Sequence, residues 1–343
     1  MKNWTFSIFV LILLLGSILS GCSGQQTDEA VQADDEQGKE KLTIYTTLFP
    51  LQDFAQKIGG EHVEVDSLIP AGADAHTYEP TTKMMMKLAE ADLFIYNGAG
   101  MESYAESMAE SLQAENVKIL EASKEIDLKE HVHADGHEED AHSEDEAHTE
   151  DEHGHEEDTH SEDEHGHEHG DKDPHVWLDP TLAIQLAENI KEELVSLKPE
   201  EEKAFNQNFE QLKTDLQALD HDFHDVVESA KNPKILVSHA AYGYWEQAYG
   251  LEQISIAGLS PSNEPSQKEL EKIIHIAEEN QIKYVIFEQN VKPKVADIIK
   301  NELNADTLQL HNLSVRTEEE VKTDEDYFSL MKQNIETLKT ALN

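Results

Sequence analysis

From Lys41 onward, short apolar runs alternate with amphipathic ones along the chain. LTIYTT, HVEVDSLIP, DLFIYNG and VKILEAS are rich in β-branched and aromatic residues and read as strands. Between them, LQDFAQKIGG, TTKMMMKLAEA and MESYAESMAESLQ read as helices, the first stopped by glycines. The alternation returns after Pro233. KILVSH, EQISIAG, KYVIFEQ and DTLQLH read as strands, with helices over AAYGYWEQAYG, PSQKELEKIIHIAEENQ and KPKVADIIKNELN, and DEDYFSLMKQNIETLKTALN closes the chain as a helix. Strands alternating with helices imply parallel sheets built from βαβ units. The pattern predicts an α/β protein with two Rossmann-like lobes, over residues 41–199 and 233–343.

Residues 200–232 join the two. Phe205, Phe209, Leu212, Leu216 and Leu219 follow helical spacing, the glutamates at 200–202 favour a helix start, and Asn232-Pro233 end it. Some thirty residues at 1.5 Å each give a rod of roughly 45 Å. Such a rigid linker helix resists the wide hinge closure that a flexible linker permits.

The first residues differ in kind. Lys2, an apolar run from Phe6 to Leu15, and Leu19-Ser20-Gly21-Cys22 read as an export signal over 1–21 ending in a lipobox. Cys22 is then the lipidation site and anchors the chain to the extracytoplasmic face of a bacterial membrane. Residues 22–40 are polar and aperiodic and read as a flexible tether. Cys22 is the single cysteine, so no internal disulfide can form and any metal site must use imidazole, carboxylate or water. The formal net charge of −46 argues against nucleic acid as a partner.

Much of that charge lies in residues 131–170, which hold an imperfect repeat, HTEDEHGHEEDT then HSEDEHGHEHGD. The segment lacks large apolar residues and is expected to be disordered without metal. Its histidines (His131, His133, His137, His142, His148, His153, His155, His160, His165, His167 and His169) suit a low-affinity, multi-ion loop rather than one tight site. With no fixed geometry, each capture must order the chain, which weakens it.

Sparser residues are better placed for tight binding. PAGADAHTYEP puts His76 in a loop after the second strand, and DPHVWLDP puts His175 between two prolines. ILVSHAAYGY and YVIFEQNVKPK put His239 and Glu288 at strand ends. Ligands of open α/β sheets bind beyond the carboxyl ends of the strands, so residues from both lobes can meet in a cleft between them. Three imidazoles and a carboxylate suit Zn²⁺, and four protein ligands would leave no position for a reactive water. That expectation is of a carrier rather than an enzyme.

The motifs LFPLQDFAQKIGG, PAGADAHTYEPTTKMMMKLAEADLFIYNGAGME, PHVWLDP, VSHAAYGYW, GLSPSNEPS and VIFEQNVKPK together resemble the metal-specific solute-binding lipoproteins of bacterial ABC transporters, cluster A-I. The zinc-uptake members of the ZnuA/AdcA type are the most similar. The resemblance runs from about Lys41 to the C-terminus. It implies two α/β lobes, a rigid connecting helix, a cleft holding Zn²⁺ through His76, His175, His239 and Glu288, and an ABC permease as partner. A monomer is expected. Manganese members usually carry a carboxylate where this chain has His239 and lack a long His-rich insertion, and carboxylates favour Mn²⁺ more than imidazoles do. A manganese-type receptor, a zinc buffer and an extracytoplasmic metallohydrolase are the alternatives, although no HExxH motif is present. His62, His221, His224, His275 and His311 read as ordinary surface or core residues. Trp177 and Trp245 are expected to pack near the site, Asp179-Pro180 to start a helix, and Tyr78 and Tyr242 to bond to ligands.

Overall fold

A computed structural model describes residues 41–130, 172–290 and 294–343. Strands β1 (Leu42–Thr46), β2 (Val63–Ser67), β3 (Leu93–Tyr96) and β4 (Lys118–Glu121) form an all-parallel sheet in the order β2-β1-β3-β4. Helices α1 (Phe49–Gly59), α2 (Thr82–Leu88) and α3 (Ala105–Leu112) connect them. The second sheet repeats the order. Its strands β5 (Lys234–His239), β6 (Glu252–Ala257), β7 (Tyr284–Phe287) and β8 (Asp306–Gln309) run β6-β5-β7-β8, again all parallel. Between and after them lie α6 (Gly243–Tyr249), α7 (Gln267–Glu279), α8 (Lys294–Glu302), α9 (Glu318–Lys322) and α10 (Tyr327–Ala341). β3 is buried at every position, as a strand covered on both faces must be.

Two helices separate the sheets. α4 (Pro180–Leu197) begins at Asp179, whose carboxylate accepts from the Thr181 and Leu182 amides, with Pro180 in the first turn. α5 (Glu202–Glu228) is shorter than the expected 200–232, because Pro199–Glu201 form a 3-10 turn and the chain leaves the helix at Ser229. Its 27 residues span roughly 40 Å. Phe205, Phe209, Leu212, Leu216, Leu219, Phe223, Val226 and Val227 are buried along one stripe.

That stripe decides how the lobes are joined. α1, α4, α5, α6 and α10 share one apolar cluster with the inner faces of both sheets, running from Ile44 and Leu93 to Val237, Ile286 and Leu338. Each sheet's outer face has its own smaller cluster, around Phe94 and Met108 in one and Val285 and Ile299 in the other. The linker is therefore a layer of a common core rather than a free rod. Each buried Phe or Leu of the stripe contributes roughly 1.5–3 kcal/mol, so separating the lobes would forfeit several such terms. Polar bonds stitch the same seam. Phe49 N–H donates to Ser314 O (3.0 Å) and Gly72 N–H to Arg316 O (2.9 Å). Trp245 Nε1–H donates to Leu178 O and Tyr327 Oη–H to Trp177 O, each at 2.7 Å.

The segment with Cys22 and the eleven histidines from His131 to His169 lie outside the described residues. Among the described residues, no helix is long and apolar enough to cross a membrane.

Candidate metal centre

Three loops and strand ends deliver three imidazoles to one point. His239 is the last residue of β5, fixed by parallel pairing with Ala257 of β6. His175 precedes the 3-10 turn Val176–Leu178 that leads into α4. His76 sits in the loop after β2, where its N–H donates to Asp74 Oδ1 (3.0 Å). His175 Nε2 lies 3.4 Å from His76 Nε2 and 3.4 Å from His239 Nε2. One nitrogen from each residue falls within 4.8 Å of the others. A tetrahedral ion with Zn–N bonds of about 2.0–2.1 Å needs its nitrogens about 3.3–3.4 Å apart. The spacing fits such an ion.

The tautomers make the fit specific. Asp173 Oδ1 accepts from His175 Nδ1–H (2.7 Å) and from the His175 backbone N–H (3.0 Å). Glu288 Oε1 is in direct contact with His239 Nδ1, and neither of those two buried atoms has a hydrogen-bond partner among the described residues. A carboxylate at Nδ1 holds the proton there and leaves Nε2 unprotonated. With those tautomers, two lone pairs face each other at 3.4 Å with His76 beside them, an arrangement that a bound cation relieves. Burial, and then the neighbouring His175 and His239, push the His76 pKa well below the ordinary histidine value. It stays neutral and competent to ligate at physiological pH.

Glu288, expected as the fourth ligand, lies beside the three imidazoles and against His239. It emerges directly after β7 and is buried, but it is not in the converging group. Its Oε1 reaches the His239 ring at Nδ1, on the other side from Nε2, and its Oε2 accepts from Asn312 Nδ2. Asn312 Nδ2–H, a buried donor, is satisfied by this carboxylate and turns it away from the nitrogens.

Sequence reasoning missed four residues that support the site: Asp173, Gly243, Asn312 and Tyr244. Asp173 stands two positions before His175, and a carboxylate so close to a candidate ligand was a usable signal. Gly243 makes room for it: a Cβ there would fall 2.4 Å from Asp173 Oδ2. Asn312 gave no signal, being 24 residues from Glu288. Tyr244 Oη–H donates to Asp173 O (2.7 Å) and accepts from Lys129 N–H (3.2 Å), tying the His175 loop to α6. Trp177 and Trp245 are fully buried, the former with its ring 5.3 Å from that of His175. Tyr78 and Tyr242 do not bond to the imidazoles; their hydroxyls donate to Met84 Sδ and Leu310 O. His221, His224 and His275 are exposed beside carboxylates, His62 pairs with Glu201, and His311 is buried against Glu320.

Residues 44–341 match the family model described as zinc-uptake complex component A, periplasmic. The chain belongs to this family. The chain is 33% identical over 341 residues to the high-affinity zinc uptake system protein ZnuA of Bacillus subtilis, spanning 99% of this chain and 98% of that protein. It is 34% identical over 331 residues to the zinc-binding lipoprotein AdcA of Streptococcus pneumoniae, covering 95% of this chain. This chain spans only 60% of the length of AdcA. The crystal structure of the Zn(II)-bound ZnuA-like domain of that AdcA superposes with a TM-score of 0.68 at 31% identity, covering 88% of this chain and 99% of the domain.

Proposed function

We propose that this member of the zinc-uptake family captures Zn²⁺ outside the cytoplasmic membrane and delivers it to an ABC permease. The observation that carries the reading is the convergence of three Nε2 atoms, two of them held as lone-pair donors by Asp173 and Glu288. Such a site has an orientation and a charge before metal arrives, so little reorganisation opposes binding. His76, His175 and His239 are the ligands, and Glu288 orients His239. All three donors are nitrogen, which favours Zn²⁺ over Mn²⁺ in the usual affinity order. The names of the relatives support zinc as the cargo. No catalytic role is assigned; the work is selective binding and release. The chain acts as a monomer held to the membrane by a lipid on Cys22, and the His-rich segment 131–170 gathers ions at low affinity.

Competition titration of Zn²⁺ against Mn²⁺ on the mature protein tests this reading. One tight zinc equivalent that Mn²⁺ does not displace is expected. Equal or tighter Mn²⁺ binding would make it a manganese-type receptor. Unchanged zinc uptake in a strain lacking the protein, grown under zinc limitation, would end the transport proposal.

A further inference from the structure

We infer that Asn312 is a positioning residue for the metal centre, acting through Glu288, and that it ties the state of the lobe seam to that centre. The inference rests on the zinc-site reading above. Asn312 lies in the loop after β8 and is buried, and every polar group of it is engaged. Its Oδ1 accepts from Gln289 Nε2 (2.9 Å), Ser314 N–H (3.0 Å) and Ser314 Oγ–H (2.8 Å). With three donors at Oδ1, the amide can turn only one way, and Nδ2 must face Glu288 Oε2. Its N–H donates to Gln289 Oε1 (3.2 Å).

The remaining group crosses to the other lobe. Asn312 C=O accepts from Trp177 Nε1–H at 2.7 Å. Trp177 is two residues from His175 and its ring lies against that histidine. His175, Trp177, Asn312, Glu288 and His239 therefore form a continuous path that leaves one ligand in the first lobe and returns to another in the second. The loop carrying Asn312 is itself held rigidly. Buried Leu313 sits at φ +58°, a costly conformation for a bulky residue. His311 Nδ1 accepts the Leu313 N–H (2.9 Å), and Asn334 brackets His311 by accepting its N–H and donating to its C=O (2.7 and 2.8 Å). A loop pinned this firmly transmits displacement instead of absorbing it. Sliding the lobes at Trp177 pulls on Asn312, turns Glu288, and loosens the grip on His239 Nδ1.

The test is a double-mutant cycle on the mature protein, with Zn²⁺ as the probe and Co²⁺ as its spectroscopic substitute. Asn312→Ala is expected to weaken Zn²⁺ binding by about 10–100-fold, the usual effect of losing an outer partner of a metal ligand. In a Glu288→Ala background the same change is expected to do almost nothing, because the intermediary is gone. The Co²⁺ d–d band is expected to keep its three-imidazole position while changing intensity. Asn312→Asp keeps the shape and the Oδ1 bonds but sets a carboxylate against Glu288; it carries the test if the alanine variant does not fold, with a loss in the same direction. Unchanged affinity in both variants, or an equal loss with and without Glu288, overturns the inference. His239→Ala is the control for the site: if that variant still binds Zn²⁺ tightly, the zinc-site reading has failed and not merely the role of Asn312.

Discussion

The two lobes have the same strand order and use it differently. In each sheet the second strand is added on one side of the first and the third on the other, and this switch in strand order opens a crevice at the carboxyl ends of the first and third strands. In the second lobe that crevice carries chemistry: His239 ends β5 and Glu288 follows β7. In the first lobe the equivalent crevice, between Thr47 after β1 and Asn97 after β3, is closed by Glu102. Its Oε1 accepts from Asn97 N–H (2.9 Å) and from Thr47 Oγ–H, and its Oε2 from Gly98 N–H (3.2 Å). The first lobe therefore places its proposed ligands in loops, His76 after β2 and His175 before α4. It does so indirectly too, since Asn97 Nδ2–H donates to Pro174 O (3.0 Å), next to His175. One topology offers a site, and the side chains decide whether it is filled from within or left for a ligand.

The largest test of this contrast removes ligands from each lobe. His239→Ala and His175→Ala are each expected to weaken Zn²⁺ by roughly a hundred- to thousand-fold in calorimetry, since each removes one of few strong donors. His76→Ala should cost less, because His76 is half-buried and no carboxylate among the described residues bonds to its ring nitrogens. If His76→Ala proves the most damaging, the strand-end and buried ligands are not the anchor of the site.

Next come the orienting residues. Asp173→Asn is expected to lower affinity about 10–100-fold. Gly243→Ala should act in the same direction by driving Asp173 away, and should cost about 1–3 kcal/mol in unfolding experiments. A Gly243→Ala protein of normal affinity would show that His175 does not depend on Asp173.

The closed crevice gives a stability effect without a binding effect. Burial pushes the Glu102 carboxyl up to about 7 against the opposing pull of its hydrogen bonds from Thr47, Asn97 and Gly98. The folded protein then holds a proton that the unfolded chain releases near 4.5. Stability from this group is fully present below pH 4.5 and is lost as pH rises to 7, by up to about 3 kcal/mol. Glu102→Gln is expected to flatten that slope relative to the unmodified protein while leaving zinc affinity unchanged. A zinc defect in Glu102→Gln would mean that the first lobe's crevice also serves the metal.

The smallest effect lies at the seam's edge. Lys57 Nζ bonds to Asp53 (2.7 Å) on its own helix α1 and to Asp326 (3.0 Å), which caps α10. Lys57→Ala should cost about 1 kcal/mol or less, shrinking with added salt. A much larger loss would mean that charge, rather than the common apolar core, holds the lobes together.

The sequence by itself determined the alternation of strands and helices, because period-2 and period-3.6 patterns are local properties. It likewise placed His76, His175 and His239 at loop and strand ends, and the five apolar positions from Phe205 to Leu219 on one helical face. Tertiary structure decided what those residues do. The linker helix became part of a shared core because α1, α4 and α10 cover its stripe, and no residue of the helix names those partners. Glu288 turned to His239 and Asn312 instead of joining the nitrogens. The bonds that fix its direction come from residues 24 or more positions away in the chain. Hydrogen-bond direction depends on where distant loops meet, and only packing sets that.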